Sequence, residues 1–288
     1  MHRLIVLLGC SLLAVGTLGS LALQAQVNLE FVGFWYVEGP PRSVAVHDLS
    51  GEVLVNINQN YRVLRYSADG ELLVAFGREG EIPVGIAVDL EGNSVVAVNI
   101  NNNYRVVRYD PFGEVLAEWE GTGEPQGIAV DEGGNSVVAV NINNNYRVVT
   151  HGPSGEVHTA WNGEGAPVAI AVDLDGNVLV VASITSVLHI FKHASDGALL
   201  GQWPLAGGVI ETNGLAVGPT GETFVTADRA HRLLIYSTDG ELLGEIGAEG
   251  SEPGQFAHPR GIAVSSIGLL YIADSGNHRI QVLHWSGP

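Results

Sequence analysis

The sequence predicts an all-β fold, a six-bladed β-propeller of four-stranded antiparallel blades. Three observations carry the prediction: six internal repeats, turn chemistry that divides each repeat into four short strands, and a last repeat whose missing strand stands at the N-terminus. The repeats are anchored on Pro41, Pro83, Pro125, Pro167, Asn213 and Pro259, at spacings of 42, 42, 42, 46 and 46 residues. The residues there read PRSVAV, PVGIAV, PQGIAV, PVAIAV, NGLAV and PRGIAV. The stretch GNSVVAVNINNNYRVV at 92–107 returns unchanged at 134–149, the mark of a recent duplication.

In the second repeat, apolar and β-branched runs predict strand a at 85–88, b at 94–98, c at 104–109 and d at 114–119. Between a and b stands DLEGN at 89–93, and between c and d DPFG at 110–113. The Asp supplies a side-chain bond to the backbone and the Gly the left-handed position that ends the turn. An Asn-rich loop joins b to c. The sixth repeat stops after strand c at 280–285, while 29–35 followed by 37–41 matches the strand-d-plus-linker pattern at 72–83. An N-terminal strand therefore completes the last blade, closing the ring without an exposed terminal edge. Phe76, Trp119, Trp161 and Trp203 all fall near the end of strand d, where packing between blades explains them.

Composition agrees with one closed domain over the 288 residues: 46% are hydrophobic, 38 are Gly and 15% are charged. Thirteen basic residues face 31 acidic ones, and the formal charge of −18 argues against nucleic acid as a partner. Arg3 is followed by an uncharged stretch, 4–26, with small residues near its end. Residues 1–25 are accordingly read as a signal peptide or an N-terminal membrane anchor and 26–288 as the propeller, giving a secreted, periplasmic or cell-surface protein. Membrane contact is expected only through that segment, and the chain is read as a monomer. LLGC ending at Cys10 faintly resembles a lipobox, though the apolar run continues well beyond it. Cys10 is the only cysteine, so the propeller holds no internal disulfide.

PRGIAV at 259–264, followed by YIADSGNHRIQVL at 271–283 and preceded by PGQFAH at 253–258, resembles an NHL repeat. Repeats one to three drift to NQNYR, NNNYR and NNNYR, repeat five keeps ADRAHR at 227–232, and repeat four, with ASITSVLHIF at 182–191, departs from the pattern. The resemblance implies a six-bladed propeller. It leaves function open, because propellers of that family include binding modules, RNA readers, sensor domains and a few enzymes. An Asp or Asn (Asn56, Asn99, Asn141, Asp228, Asp274) and an Arg (Arg62, Arg105, Arg147, Arg232, Arg279) recur in five repeats. Such copies are read as a structural hydrogen bond that fixes the b–c turn or links blades.

Antiparallel order puts the b–c loops and the inter-blade linkers on one face, around the mouth of the central channel. That face is expected to bind a protein, peptide or glycan, with Tyr61, Tyr104, Tyr146 and His278 at equivalent places as contacts and Arg42 and Arg260 beside the mouth. The alternative is a metal-dependent hydrolase or lyase at the channel mouth. Of the residues flanking the anchors only Glu124 and His258 are ligand types, and they stand in opposite blades. DLDGN at 173–177 aligns with plain turns and lacks the further ligands of a calcium loop. No nucleophile elbow and no phosphate-cradling loop is present. The expected function is non-catalytic, with no catalytic residue, resident metal or cofactor assigned.

Overall fold

The computed structural model describes residues 28–57, 62–209 and 211–287; the N-terminal segment read as signal or anchor lies outside them, as does Tyr61. Each repeat folds as one four-stranded antiparallel sheet. Blade 1 holds β2 (Pro41–His47), β3 (Glu52–Ile57), β4 (Arg62–Tyr66) and β5 (Leu72–Phe76). Blade 2 holds β6 (Ile82–Val88), β7 (Ser94–Ile100), β8 (Asn103–Tyr109) and β9 (Val115–Thr122). Blade 3 holds β10 (Glu124–Val130), β11 (Ser136–Ile142), β12 (Asn145–His151) and β13 (Val157–Gly163), and blade 4 holds β14 (Ala166–Val172), β15 (Val178–Ile184), β16 (Val187–His193) and β17 (Leu199–Pro204). Blade 5 holds β18 (Leu215–Val217), β19 (Thr223–Ala227), β20 (Arg232–Tyr236) and β21 (Leu242–Ile246). Blade 6 holds β22 (Pro259–Val264), β23 (Leu269–Asp274) and β24 (Arg279–Trp285), and β1 (Leu29–Tyr36) supplies its outer strand. β1 pairs with β24 from Leu29 opposite Trp285 to Tyr36 opposite Arg279, so the two ends of the chain share one sheet, as the sequence predicts.

The core lies between blades. Middle strands are covered on both faces by neighbouring blades, so Val53, Leu54 and Val55 of β3 run buried without alternation. One cluster joins Leu54 and Val63 of blade 1 to Val96, Val107 and Tyr109 of blade 2, and another joins Phe31 of β1 to Phe224 and Ile235 of blade 5. The outer-strand rings meet the turn ahead: Phe76, Trp119, Trp161 and Trp203 sit against Gly113, Gly155, Gly197 and Gly240, each in the c–d turn of the next blade. The turn chemistry is as read, since Asp89 Oδ1 accepts bonds from the amides of Glu91 (2.9 Å) and Asn93 (2.8 Å), and Gly92 has φ 83°.

Strands b and c run further than the sequence indicates. In blade 2 the Asn-rich loop is mostly strand: Asn99 pairs with Tyr104 and Ile100 with Asn103, leaving a two-residue turn at Asn101 (φ 52°) and Asn102 (φ 63°). Two successive left-handed residues make the hairpin turn whose twist matches the strands, and Asn tolerates that region. Blade 3 repeats it at Asn143 and Asn144. Blade 4, which lost the sequence pattern, keeps the geometry with Thr185 (φ 48°) and Ser186 (φ 68°). A branched side chain is strained there. Thr185→Asn combined with Ser186→Gly is expected to stabilise the protein by about 1–2 kcal/mol in chemical denaturation, and Asn143→Thr to cost a similar amount. Equal midpoints for these variants and the parent would contradict the strain.

Candidate functional face

Five of the six first strands, all but that of blade 5, carry a register shift at the same place, between Pro41 and Ser43, Pro83 and Gly85, Pro125 and Gly127, Pro167 and Ala169, and Pro259 and Ile262. Arg42, Val84, Gln126 and Val168 are the extra residues of the first four, and Arg260 and Gly261 fall within the last. Below them the axial cavity is narrow, about 70 Å³, and lined by Ser43, Gln126, Asn213, Gly261 and apolar neighbours. A second cavity, about 380 Å³, opens between the b–c hairpins of blades 2 and 3. Asn102, Thr122, Glu124, Asn141, Asn143 and Asn144 wall it. Asn99 Oδ1 caps its own hairpin at the amide of Asn102 (3.2 Å), while its Nδ2 donates to Glu124 Oε1 (3.3 Å).

The expected tyrosine contacts are inside. Tyr104 and Tyr146 are 3% and 1% exposed, and their hydroxyls meet His151 Nε2 (2.8 Å) and His193 Nε2 (2.7 Å) in the next blade. Each ring fills the space left by a glycine on the adjoining outer strand, for a Cβ on Gly121 would lie 2.2 Å from Tyr104 Cζ and one on Gly163 2.0 Å from Tyr146 Cζ. The signal in the sequence was that pair of linker glycines at one register. His278 precedes its Arg as the two Tyr do, but it is exposed and left-handed (φ 54°), so it presents a ring where the tyrosines do not. Tyr61 lies outside the described residues.

These Tyr–His pairs link blades and set the imidazole tautomer. His151 Nδ1 lies 3.1 Å from the carbonyl of Gly155 and His193 Nδ1 3.0 Å from that of Gly197, so Nδ1 donates and Nε2 accepts from the tyrosine. Burial lowers both imidazole pKa values below the ordinary 6.5 and raises those of both phenols. The unfolded imidazoles therefore take up protons first on acidification. Their contribution to stability is complete above about pH 6.5 and is lost as pH falls from there through the folded values. Between pH 8 and pH 5 the Tm is expected to fall more steeply in the parent than in a His151→Gln, His193→Gln double variant. Parallel profiles would contradict this.

The recurring Asp/Asn and Arg pair up in one blade of the five. In blade 6 Asp274 stands directly opposite Arg279, and Arg279 Nε donates to Asp274 Oδ2 at 2.7 Å. In blades 2 and 3 the Arg stands opposite Val98 and Val140 instead. Arg105 then turns to Glu81 (2.5 Å) and Glu120 (2.6 Å). Asn56 bonds the amide of Ser43 and the carbonyl of Pro83, joining blades 1 and 2. Asp228, 2% exposed, holds His258 Nδ1 at 2.8 Å, with Arg260 Nε at 3.5 Å.

Glu124 thus belongs to the amide cavity and His258 to the opposite side of the mouth. Among the described residues no group of three or more His, Cys, Asp or Glu side chains is placed to hold a metal ion.

Residues 256–283 match the NHL repeat. No curated protein matches the chain significantly. Among solved structures it is similar to virginiamycin B lyase from Staphylococcus aureus, at 14% identity and a TM-score of 0.63 over 90% of this chain and 99% of that one. It is similar as well to a streptogramin B lyase (15% identity, TM-score 0.61, 90% and 97% covered). A third is the β-propeller domain of Cps50 (Swd1) from Myceliophteria thermophila (12%, 0.62, 87% and 98%). At such identities the likeness is one of fold. Six four-stranded blades closed by the N-terminal strand, with an NHL repeat matched at 256–283 in the last of them, make this chain a six-bladed β-propeller that carries an NHL repeat.

Proposed function

We propose that this propeller is an extracytoplasmic, non-catalytic recognition module that binds a protein, peptide or glycan through its b–c hairpin and linker face. The observation that carries the reading is the cavity of about 380 Å³ between blades 2 and 3, within the size range of ligand pockets. Its wall is carboxamide-rich. Asn102, Asn143 and Asn144 sit at hairpin tips whose backbone is set by paired strands, so donors and acceptors are held on a rigid scaffold. Side-chain amides can match a peptide main chain or sugar hydroxyls without net charge. The apolar N-terminal stretch supports the extracytoplasmic location.

The test is a peptide and glycan array probed with the purified protein and with an Asn102→Gly, Asn144→Gly double variant, glycine keeping the left-handed backbone while removing the amides. Binding by the parent that drops at least tenfold in a variant of unchanged Tm supports the reading. A parent that binds neither class, or a variant that binds as well, overturns it.

A further inference from the structure

Taking the amide cavity between blades 2 and 3 as the ligand site, we propose that it receives a lysine side chain of a peptide, with the primary ammonium group on the carboxylate of Glu124. The sheet register shows what sets this place apart. Glu124, Ile82 and Ala166 each open the first strand of a blade, and they stand opposite Asn141, Asn99 and Ser183 at one position of the second strand. Two of the three carry an apolar side chain and their blades fold alike, so the architecture does not require a carboxylate there. The hairpins at 99–104 and 141–146 are identical in sequence, and between them Glu124 is the one charged residue of the cavity wall among the described residues.

The carboxylate is held in place without a counter-charge. Asn99 Oδ1 accepts from the amide of Asn102 in its own hairpin, which turns Nδ2 toward Glu124 Oε1 at 3.3 Å. Among the described residues no cation pairs with Glu124. Arg105, just past the first hairpin, is taken up by Glu81 and Glu120. A partly buried carboxylate without a cation, in a protein of net charge −18, favours a positively charged ligand over a neutral one. Shape narrows the choice. A bidentate guanidinium fork meets one oxygen already engaged by Asn99, whereas a compact ammonium is satisfied by the other oxygen and two further acceptors. The carboxamides of Asn102, Asn143 and Asn144 stand in the same wall to supply them. Ile142 offers the alkyl stem an apolar surface. No aromatic ring lines the cavity, so it has neither a platform for a sugar ring nor a cage for a methylated ammonium.

The experiment is a titration of the isotope-labelled protein, followed by amide chemical shifts at low salt, with the peptide acetyl-Gly-Lys-Gly-amide. Its counterparts carry norleucine, Nε-acetyllysine or arginine in place of lysine, Gly-Gly-Gly-amide offers an N-terminal ammonium instead, and maltotriose is the neutral sugar. Shifts are expected at 99–104, 122–124 and 141–146. The lysine peptide is expected to bind more tightly than every other probe, and at least tenfold more tightly than the norleucine and Nε-acetyllysine peptides. Glu124→Gln keeps the shape and the Asn99 contact but loses the charge, and is expected to weaken the lysine peptide at least tenfold at unchanged Tm. Should it fail to fold, Glu124→Ala, a side chain that blade 4 accepts at the same register, is expected to do the same. Equal affinity for the norleucine or arginine peptide, tighter binding of the free N-terminus, parental affinity in the Glu124 variants, or no shift with the lysine peptide overturns the assignment. Maltotriose or the norleucine peptide shifting the same hairpins equally in parent and Glu124→Gln overturns the lysine preference and leaves the cavity as a recognition site. Shifts from the lysine peptide confined to other faces overturn both.

Discussion

Arg279→Met is expected to lower the free energy of unfolding by about 3–5 kcal/mol, because it breaks a buried ion pair and leaves one charge behind. Arg279 and Asp274 are 2% and 0% exposed by side chain, with Nε donating to the carboxylate at 2.7 Å. The same guanidinium donates to the carbonyls of Ser251 (2.7 Å), Gln255 (3.0 Å) and Glu252 (3.1 Å), and it lies 4.9 Å over the Phe34 ring. It therefore ties the linker before blade 6 to the middle of that blade and to the closing strand. Tyr36 of β1 stands directly opposite it. Gln281 and the amide of Ala257 still bond Asp274 in the variant, at 2.9 and 2.7 Å, so the loss falls short of exposing a bare carboxylate. Urea denaturation measures the change, and a loss under about 1 kcal/mol would show that the pair is dispensable to closure.

Gly197→Ala is expected to cost about 2–5 kcal/mol, from a left-handed backbone of about 1–2 kcal/mol and overpacking of about 1–3. Its φ is 94°, and the added Cβ would lie 2.5 Å from Trp161 Cγ, an aromatic ring of the preceding blade that is already packed against Tyr146 and His193. Gly176 separates the two costs. It has φ 78° in an a–b turn, and a Cβ there meets nothing within 4 Å. Gly176→Ala should cost only the backbone share, about 1–2 kcal/mol. Equal losses for the two variants would mean that the ring moves aside without penalty, and that the contact between outer strand and next turn does not set the spacing of the blades.

Most of the architecture was legible because it rests on local chemistry. Asp89 and Gly92 make their turn with their own backbone, and the strand at 29–36 is needed to finish the sheet that ends at Trp285. The candidate site was less so, because it rests on relations across blades. Tyr104 was expected at the surface from its place beside an Asn-rich loop. The loop proved to be a continued hairpin, which carried Tyr104 into the sheet, over Gly121 and against His151 of the next blade. The recurring Asp/Asn and Arg pattern misled in a related way. A one-residue difference in register puts Asp274 opposite Arg279 but Val98, not Asn99, opposite Arg105.

Ligand is expected to engage the b–c and linker face and to be bound without being transformed. Hydrogen exchange of the amides with and without an array-selected ligand, followed by mass analysis of the recovered ligand, reads out both parts of this expectation. New protection is expected in the hairpins at 99–104 and 141–146 or in the linkers at 120–124 and 248–260, with unchanged exchange in the turns at 89–93 and 131–135 on the opposite face and ligand of unchanged mass. Protection confined to those opposite turns, or a ligand cleaved or isomerised on recovery, would contradict it.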